Sequence, residues 1–172
     1  MRQLDSYANE YRNWRWQVPD QFNITSECAH RWAMDAERAS TVAIQWEDED
    51  GRTDQVSYAE LSELTHRFAD ALRSLGVNAG DRVAICLPQR IETAVSLFAT
   101  LQLGAVAVPL TVLFGPEALA YRLGNAHCKV AICDDASLAN VLGICSQLPD
   151  LQHVIACAGA ADPAALSWNE IS

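Results

Sequence analysis

The chain has 172 residues, half of them hydrophobic, with a net charge of −10 and a mean hydropathy of −0.01. This length and composition suit a packed globular domain and argue against a disordered chain. The acidic charge excludes nucleic acid as an expected partner, because phosphate binding depends on clustered Lys and Arg. It argues equally against this chain alone holding a triphosphate.

The apolar runs of the chain are short and end at prolines, so we expect no membrane span. The N-terminus mixes acidic residues with arginines and lacks the apolar core of a secretory signal, which predicts a cytoplasmic protein. The cysteines contain no C-x-x-C pair and are predicted to be reduced, mostly buried thiols. They are Cys28, Cys86, Cys128, Cys133, Cys145 and Cys157.

Residues 1–56 are predicted to form an N-terminal arm, a short helix and a β-hairpin. The aromatic residues of 1–24 follow no steady period, and we expect their rings to pin the arm across a larger body. A helix is predicted from 26 to about 36, with Cys28, Ala29, Trp32 and Ala33 on one face. Residues 41–46 and 53–56 read as strands joined by a turn at Asp50-Gly51, with the acidic run 47–50 as a solvated tip.

A capping box predicts that a helix starts after Ser57. Ser57 takes the N-cap position and Glu60 the third helical position, while Val56 and Leu61 match a hydrophobic staple. Leucines then recur at helical spacing, and Gly76 supplies a left-handed C-terminal stop.

The rest of the chain alternates strands and helices. Strands are predicted at 82–87, 105–108, 129–133 and 153–156, and helices at 91–103, 116–125 and 137–145. Nearly continuous apolar strands separated by helices predict an α/β fold with a largely parallel sheet flanked by helices on both faces. We assign 57–157 to this α/β subdomain and 158–172 to a linker-like tail leading to a missing downstream domain.

The residues show no self-sufficient active site. The patterns G-x-x-x-x-G-K-[ST], G-x-G-x-x-G and G-x-S-x-G are absent, and the histidines lack the spacing of metal ligands. Asp134 and Asp135 follow a strand but suit the loop before a helix capped at Ser137. Small-molecule contact is expected at the loop carrying Phe114 and Gly115, because ligands of such sheets bind beyond the carboxyl ends of strands.

Four motifs in order, V-S-Y-A-E-L (56–61), G-V-N-A-G-D-R-V-A-I-C-L-P (76–88), L-G-A-V-A-V-P-L (103–110) and L-F-G-P-E-A-L-A-Y-R-L (113–123), resemble the N-terminal part of the AMP-forming acyl-CoA synthetases. The run V-P-D-Q-F-N-I (18–24) is most similar to the acetyl-CoA and medium-chain acyl-CoA synthetase branch. The resemblance covers nearly the whole chain and implies that this is an incomplete part of the superfamily's large N-terminal domain.

The resemblance implies a parent enzyme that activates a small carboxylic acid with ATP and Mg²⁺ and passes the acyl group from its adenylate to coenzyme A. The phosphate loop, the adenine and ribose motifs and the C-terminal lysine of the family lie downstream. We therefore expect the fragment to be inactive, with no catalytic residue, metal site or tightly bound cofactor.

The same resemblance places Phe114 and Gly115 at the coenzyme A nucleotide. The family's arginines for the coenzyme A phosphates follow the next strand, whereas 134–144 here has no basic residue. A packed turn is the alternative for this loop. Two alternatives remain for the whole chain: an adenylation domain serving a carrier protein, and a stand-alone interaction domain. Self-association of the fragment is a further option.

Overall fold

The computed structural model describes residues 2–157 and 162–172, with side chains from Ser6 onward. The helices are α1 (Arg2–Asn13), α2 (Arg31–Ala33), α3 (Tyr58–Ser74), α4 (Ile91–Gln102), α5 (Pro116–Asn125), α6 (Asp135–Leu142) and α7 (Trp168–Ile171). The strands are β1 (Val42–Glu47), β2 (Thr53–Ser57), β3 (Arg82–Cys86), β4 (Val106–Pro109), β5 (Cys128–Cys133), β6 (His153–Ala156) and β7 (Leu166–Ser167). A π-helical turn, Ser26–His30, precedes α2, and a 3₁₀ turn, Cys145–Gln147, follows α6.

The strands form two sheets. β1 and β2 make an antiparallel hairpin, and the other five make a sheet in the order β4-β3-β5-β6-β7. Every neighbouring pair in this second sheet is parallel. The predicted hairpin and the predicted α/β class with a parallel sheet are thus confirmed.

Helices cover both faces of the parallel sheet. On one face α3 and α4 contribute Phe68, Leu72 and Val95 to a core that includes alternate residues of β5, such as Val130 and Ile132. The intervening residues of β5 face the opposite way and pack with α5 and α6, as a two-residue strand period requires. The sheet is therefore buried on both sides, which explains its continuous apolar strands.

Local signals set the bounds of α3. The backbone N–H of Ser57 donates to Glu60 Oε2 at 2.7 Å, and the N–H of Glu60 donates to Ser57 Oγ at 3.3 Å. At the other end Gly76 adopts φ +82°, and its N–H donates to the Arg73 carbonyl at 2.9 Å. Both predicted helix signals are confirmed.

The predicted anchoring of the N-terminal arm by its aromatic rings is wrong within this chain. The rings of Tyr11 and Trp16 are 75% and 83% exposed. The segment is held instead by polar groups: Asn23 Nδ2 donates to the Leu101 carbonyl at 2.9 Å, and Thr25 Oγ1 donates to the Phe98 carbonyl at 2.7 Å. Short polar side chains near a helix end can satisfy backbone carbonyls there, which an aromatic ring cannot do.

The helix predicted over 26–36 is shorter than expected, because the π-helical turn and α2 together end at Ala33. The change of helix type rotates the buried face. Ala29 is fully buried, whereas Cys28, which was assigned to the same face, is exposed.

The tail predicted over 158–172 is only partly linker-like. Residues 158–161 lie outside the described residues. Beyond them, β7 adds to the sheet and α7 follows directly. Trp168 is 6% exposed, and its ring centroid lies 3.9 Å from that of Phe68. The burial of one large aromatic side chain explains why this short segment joins the body.

The cysteines are free thiols. Cys86, Cys128, Cys133 and Cys157 are buried, Cys145 is intermediate and Cys28 is exposed. Within the described ranges, no helix combines the length and apolar character needed to cross a membrane.

Candidate functional site

The strand order defines a crevice at the carboxyl edge of the parallel sheet. The chain runs from β3 outward to the edge strand β4, and then returns past β3 to β5. The first connection, α4, packs on one face and the second, α5, on the other. The topological switch point therefore lies between β3 and β5, where ligands of open α/β sheets characteristically bind.

The loop after β3 forms one wall of this crevice and is held by two hydrogen bonds. The indole N–H of Trp46, on the hairpin, donates to the Gln89 carbonyl at 2.6 Å. Thr93 Oγ1, in the first turn of α4, donates to the Pro88 carbonyl at 2.5 Å. The hairpin and α4 thus fix the path of this loop from both sides.

A cleft of about 1100 Å³ opens between the hairpin and this loop, and both of its arginines are already paired with carboxylates. Six carboxylates and two guanidiniums line it. Arg90 forms two 2.7 Å hydrogen bonds with Glu92, and this carboxylate raises the pKa of Arg90. Arg52 binds Asp48 at 2.7 Å. A triphosphate would meet an excess of negative charge and no unpaired arginine of this lining.

Of the two acidic residues after β5, Asp134 has a structural role. Asp134 is the N-cap of α6, and its Oδ1 accepts from the Ser137 N–H at 3.0 Å. Ser137 Oγ lies 2.8 Å from the Cys86 carbonyl, which links α6 to the end of β3. The predicted cap at Ser137 is therefore wrong by one turn, because Ser137 is the third helical residue of a capping box headed by Asp134. Asp135 lines the cleft.

Phe114 and Gly115 lie elsewhere, after the edge strand β4 and outside the lining of the cleft. Gly115 is the exposed N-cap of α5, and a Cβ there would meet no atom within 4 Å. Phe114 is half-buried against the layer of α5 and α6. The guanidinium carbon of Arg122 lies 4.0 Å from the Phe114 ring centroid.

Sequence reasoning missed two features of this edge. The loop 87–90 was overlooked because the position of β4 outside β3 is a tertiary fact with no local signal. Arg122 was not predicted because it lies two turns inside α5. The signal that could have found it is its separation from Phe114 along the sequence. Across 2–157 and 162–172, no three His, Cys, Asp or Glu side chains converge as metal ligands would.

Comparison with known proteins assigns this architecture to a family. The model of the family described as AMP-binding enzyme matches residues 30–171, which is most of the chain. The chain belongs to the AMP-binding enzyme family. The resemblance carried by the four motifs is thereby confirmed.

The chain is similar to acetyl-coenzyme A synthetases. It is 36% identical over 125 residues to that of Magnetococcus marinus, covering 72% of this chain and 19% of the relative. It is 33% identical over 134 residues to that of Gamma-proteobacterium EBAC31A08, covering 77% and 21%. The chain thus spans about a fifth of the length of these curated relatives.

Solved structures of acyl-CoA ligases share the fold of this chain. The acetoacetyl-CoA synthetase of Streptomyces lividans superposes with a TM-score of 0.81 and 27% identity, over 91% of this chain and 26% of that one. The anthranilate CoA ligase AuaEII, solved with anthranoyl-AMP, gives 0.79 and 25%, over 89% and 28%.

Proposed function

We propose that this chain is the N-terminal part of an AMP-forming acyl-CoA ligase. The observation that carries the proposal is the family match over 30–171 together with 36% identity to an acetyl-coenzyme A synthetase. The parent enzyme joins a small carboxylic acid to coenzyme A in two steps. We place it in the cytoplasm, and neither nucleic acid nor a membrane is part of the proposal.

The first step makes the carboxyl group reactive. A carboxylate oxygen attacks the α-phosphorus of ATP and pyrophosphate leaves. In the second step the sulfur of coenzyme A attacks the acyl carbon, the C–O bond to AMP breaks, and the thiol proton is lost. Charge develops on phosphate oxygens in both steps and needs cations and N–H donors for its stabilisation.

The cleft at the switch point is poorly suited to supply those cations. Its arginines are neutralised by Glu92, Asp48 and Asp50, and carboxylates outnumber guanidiniums six to two. We therefore expect that residues 1–172 alone do not form the adenylate. In the parent enzyme, downstream parts would complete the site with ATP and Mg²⁺.

The loop after β4 is better suited to a ligand. Phe114 offers an aromatic surface on which adenine can stack, and the open space around Gly115 lets a ligand approach the backbone. We assign Phe114 and Gly115 to the nucleotide end of coenzyme A. The arrangement binds and orients this end and takes no direct part in bond making.

Titration of the ¹⁵N-labelled chain with coenzyme A, followed by ¹H–¹⁵N NMR, tests this assignment. The amide resonance of Gly115 is expected to shift more than those of Gln89 and Arg90 in the cleft wall. Phe114→Leu should weaken the effect, whereas Phe22→Leu, which alters an exposed ring of the arm, should leave it unchanged. A Gly115 amide that does not move at millimolar coenzyme A would contradict the assignment.

A further inference from the structure

A cation from α5 lies beside the aromatic ring of the loop assigned to coenzyme A. Arg122 lies two turns into α5, and helical side chains point back toward the start of their helix. Its guanidinium accordingly reaches the Phe114 ring, at 4.0 Å from the centroid, within the range of a cation–π contact. The cation and the ring form one surface beside Gly115.

The guanidinium of Arg122 has spare hydrogen-bonding capacity. Of its five N–H donors, Nη1 donates to the Ala118 carbonyl of the same helix at 3.2 Å. Five other basic side chains of this acidic chain, Arg31, Arg52, Arg73, Arg90 and Lys129, each bind a carboxylate. Among the described residues, Arg122 forms no ion pair with a carboxylate within 4 Å. An anion brought by a ligand can therefore occupy its free donors.

We propose that Arg122 binds a phosphate group at the nucleotide end of coenzyme A while Phe114 stacks on the adenine. This inference rests on the proposed function. It also provides a positive charge where the sequence otherwise has none, because 134–144 lacks basic residues at the place where the resemblance expects phosphate-binding arginines. Arg122 supplies a positive charge from α5, beside the Phe114 ring.

A guanidinium is the appropriate group for this role. Its planar fork can donate two parallel hydrogen bonds to one phosphate while its flat face remains on an aromatic ring. A lysine would keep the charge but lose the planar stack and the two-pronged geometry. Arg122→Gln removes the charge and keeps a helix-forming side chain. Arg122→Lys keeps the charge and removes the planar guanidinium.

The chain provides a matched control in Arg38. Its guanidinium also lies over an aromatic ring, 4.8 Å from the centroid of Trp32, far from α5 in sequence. It forms no ion pair with a carboxylate in the described part of the chain. Arg38→Gln therefore changes net charge and a cation–π contact just as Arg122→Gln does, at a place without the proposed site.

The test compares coenzyme A, 3′-dephospho-coenzyme A and pantetheine as titrants of the ¹⁵N-labelled chain and its variants. Arg122→Gln is expected to weaken coenzyme A binding about tenfold, because it removes charge-assisted hydrogen bonds to phosphate. Arg122→Lys should lie between wild type and Arg122→Gln, and Arg38→Gln should match wild type. Pantetheine lacks the nucleotide, so its binding should be equally weak for the wild-type chain and for every variant.

The titrants also identify the phosphate. If only coenzyme A is weakened by Arg122→Gln, the 3′-phosphate is the partner; if 3′-dephospho-coenzyme A is weakened as much, the partner is the diphosphate. Wild-type-like coenzyme A binding by both Arg122→Gln and Arg122→Lys, with the Gly115 shift intact, would overturn the role of Arg122 and leave the proposed loop standing. Loss of any Gly115 shift in the wild-type chain would overturn both.

Discussion

His30 and His66 form a stacked pair at the junction of the π-helical turn, α3 and α4. Their rings lie 4.0 Å apart and are inclined by 7°. His30 Nδ1 lies 2.7 Å from Ser62 Oγ and its Nε2 lies 2.9 Å from Gln102 Oε1, while Gln102 Nε2 lies 3.0 Å from His66 Nδ1. With neutral imidazoles, the Nε2–H of His30 can donate to Gln102 Oε1 and its Nδ1 can accept from the Ser62 hydroxyl. His66 Nδ1 can then accept from Gln102 Nε2, so every contact is satisfied.

The pair predicts a pH-dependent stability. Burial lowers the pKa of His30 below 6.5, opposed by the Gln102 hydrogen bond and aided by His66. The unfolded chain therefore takes up a proton before the folded one, and the free energy of unfolding should fall as pH drops below about 6.5, levelling off below the folded pKa. Urea unfolding at a series of pH values measures this effect.

His30→Gln should flatten the pH dependence over that interval, because it removes the titrating group and keeps a polar side chain. His153→Gln, at the start of β6, should leave the dependence in place. A wild-type chain and a His30→Gln variant with the same pH profile would contradict this explanation.

The cysteines give a second prediction at the scale of single residues. Burial raises the pKa of the Cys128 thiol to about 11, and burial also raises the pKa of Cys157. Because only the thiolate reacts, a thiol reagent at pH 8 should modify exposed Cys28 first and leave the buried thiols unmodified in the native protein. Mass spectrometry after brief alkylation checks this. Equal labelling of Cys28 and Cys128 would refute the burial pattern.

Single residues were predictable where their chemistry is local. The sequence identified Ser57, Glu60 and Gly76 because a cap and a helix stop depend on a few consecutive residues. It did not pair His30 with His66, or Arg122 with Phe114. Those contacts depend on how helices pack or how long side chains lie along a helix, and neither is written in a local pattern.

At the scale of elements, the capping box of α3 is the clearest case of a sequence signal that becomes structure. Ser57→Ala should lower the free energy of unfolding by about 1 kcal/mol, because it removes an N-cap acceptor. Ser167 also occupies an N-cap position, before α7, but its side chain makes no cap hydrogen bond. Ser167→Ala should therefore have a much smaller effect. Equal losses for the two variants, measured by urea unfolding, would contradict the role assigned to Ser57.

The strands and helices from 42 to 156 were predicted to within a few residues, because period-2 and period-3.6 patterns and caps mark them. Two errors have physical causes. The start of α6 was misplaced since Asp134 and Ser137 are both good N-cap residues and only the structure distinguishes them. The helix over 26–36 was overextended since a π-helical turn leaves no distinctive pattern.

At the scale of the whole molecule, the described end of the chain belongs to the folded body. Trp168→Ala should cost about 3–5 kcal/mol, because it empties a buried aromatic site against Phe68. Trp16→Ala, which truncates a ring that is 83% exposed, should have little effect. Denaturant unfolding followed by circular dichroism provides both values. A Trp168→Ala variant as stable as the Trp16→Ala variant would show that 166–171 only rests on the surface.

The overall class of the fold was predictable, whereas its strand order was not. Alternating strands and helices predict parallel pairing, but the return of the chain past β3 to β5 is set by long-range packing. The crevice was expected at the loop after β4, whereas the strand order places it at the ends of β3 and β5. The same geometry separates the acidic cleft from the loop of Phe114 and Gly115.

We propose that this chain lacks the cations needed for adenylation, because both arginines of the cleft are paired with carboxylates. Carboxylate-dependent exchange of labelled pyrophosphate into ATP tests it most directly, using purified residues 1–172, Mg²⁺ and acetate or medium-chain acids. The acetyl-coenzyme A synthetase of Magnetococcus marinus serves as the positive control. We expect exchange in the control and none above background with this chain; exchange by residues 1–172 that depends on the acid would show that the chain can form the adenylate by itself.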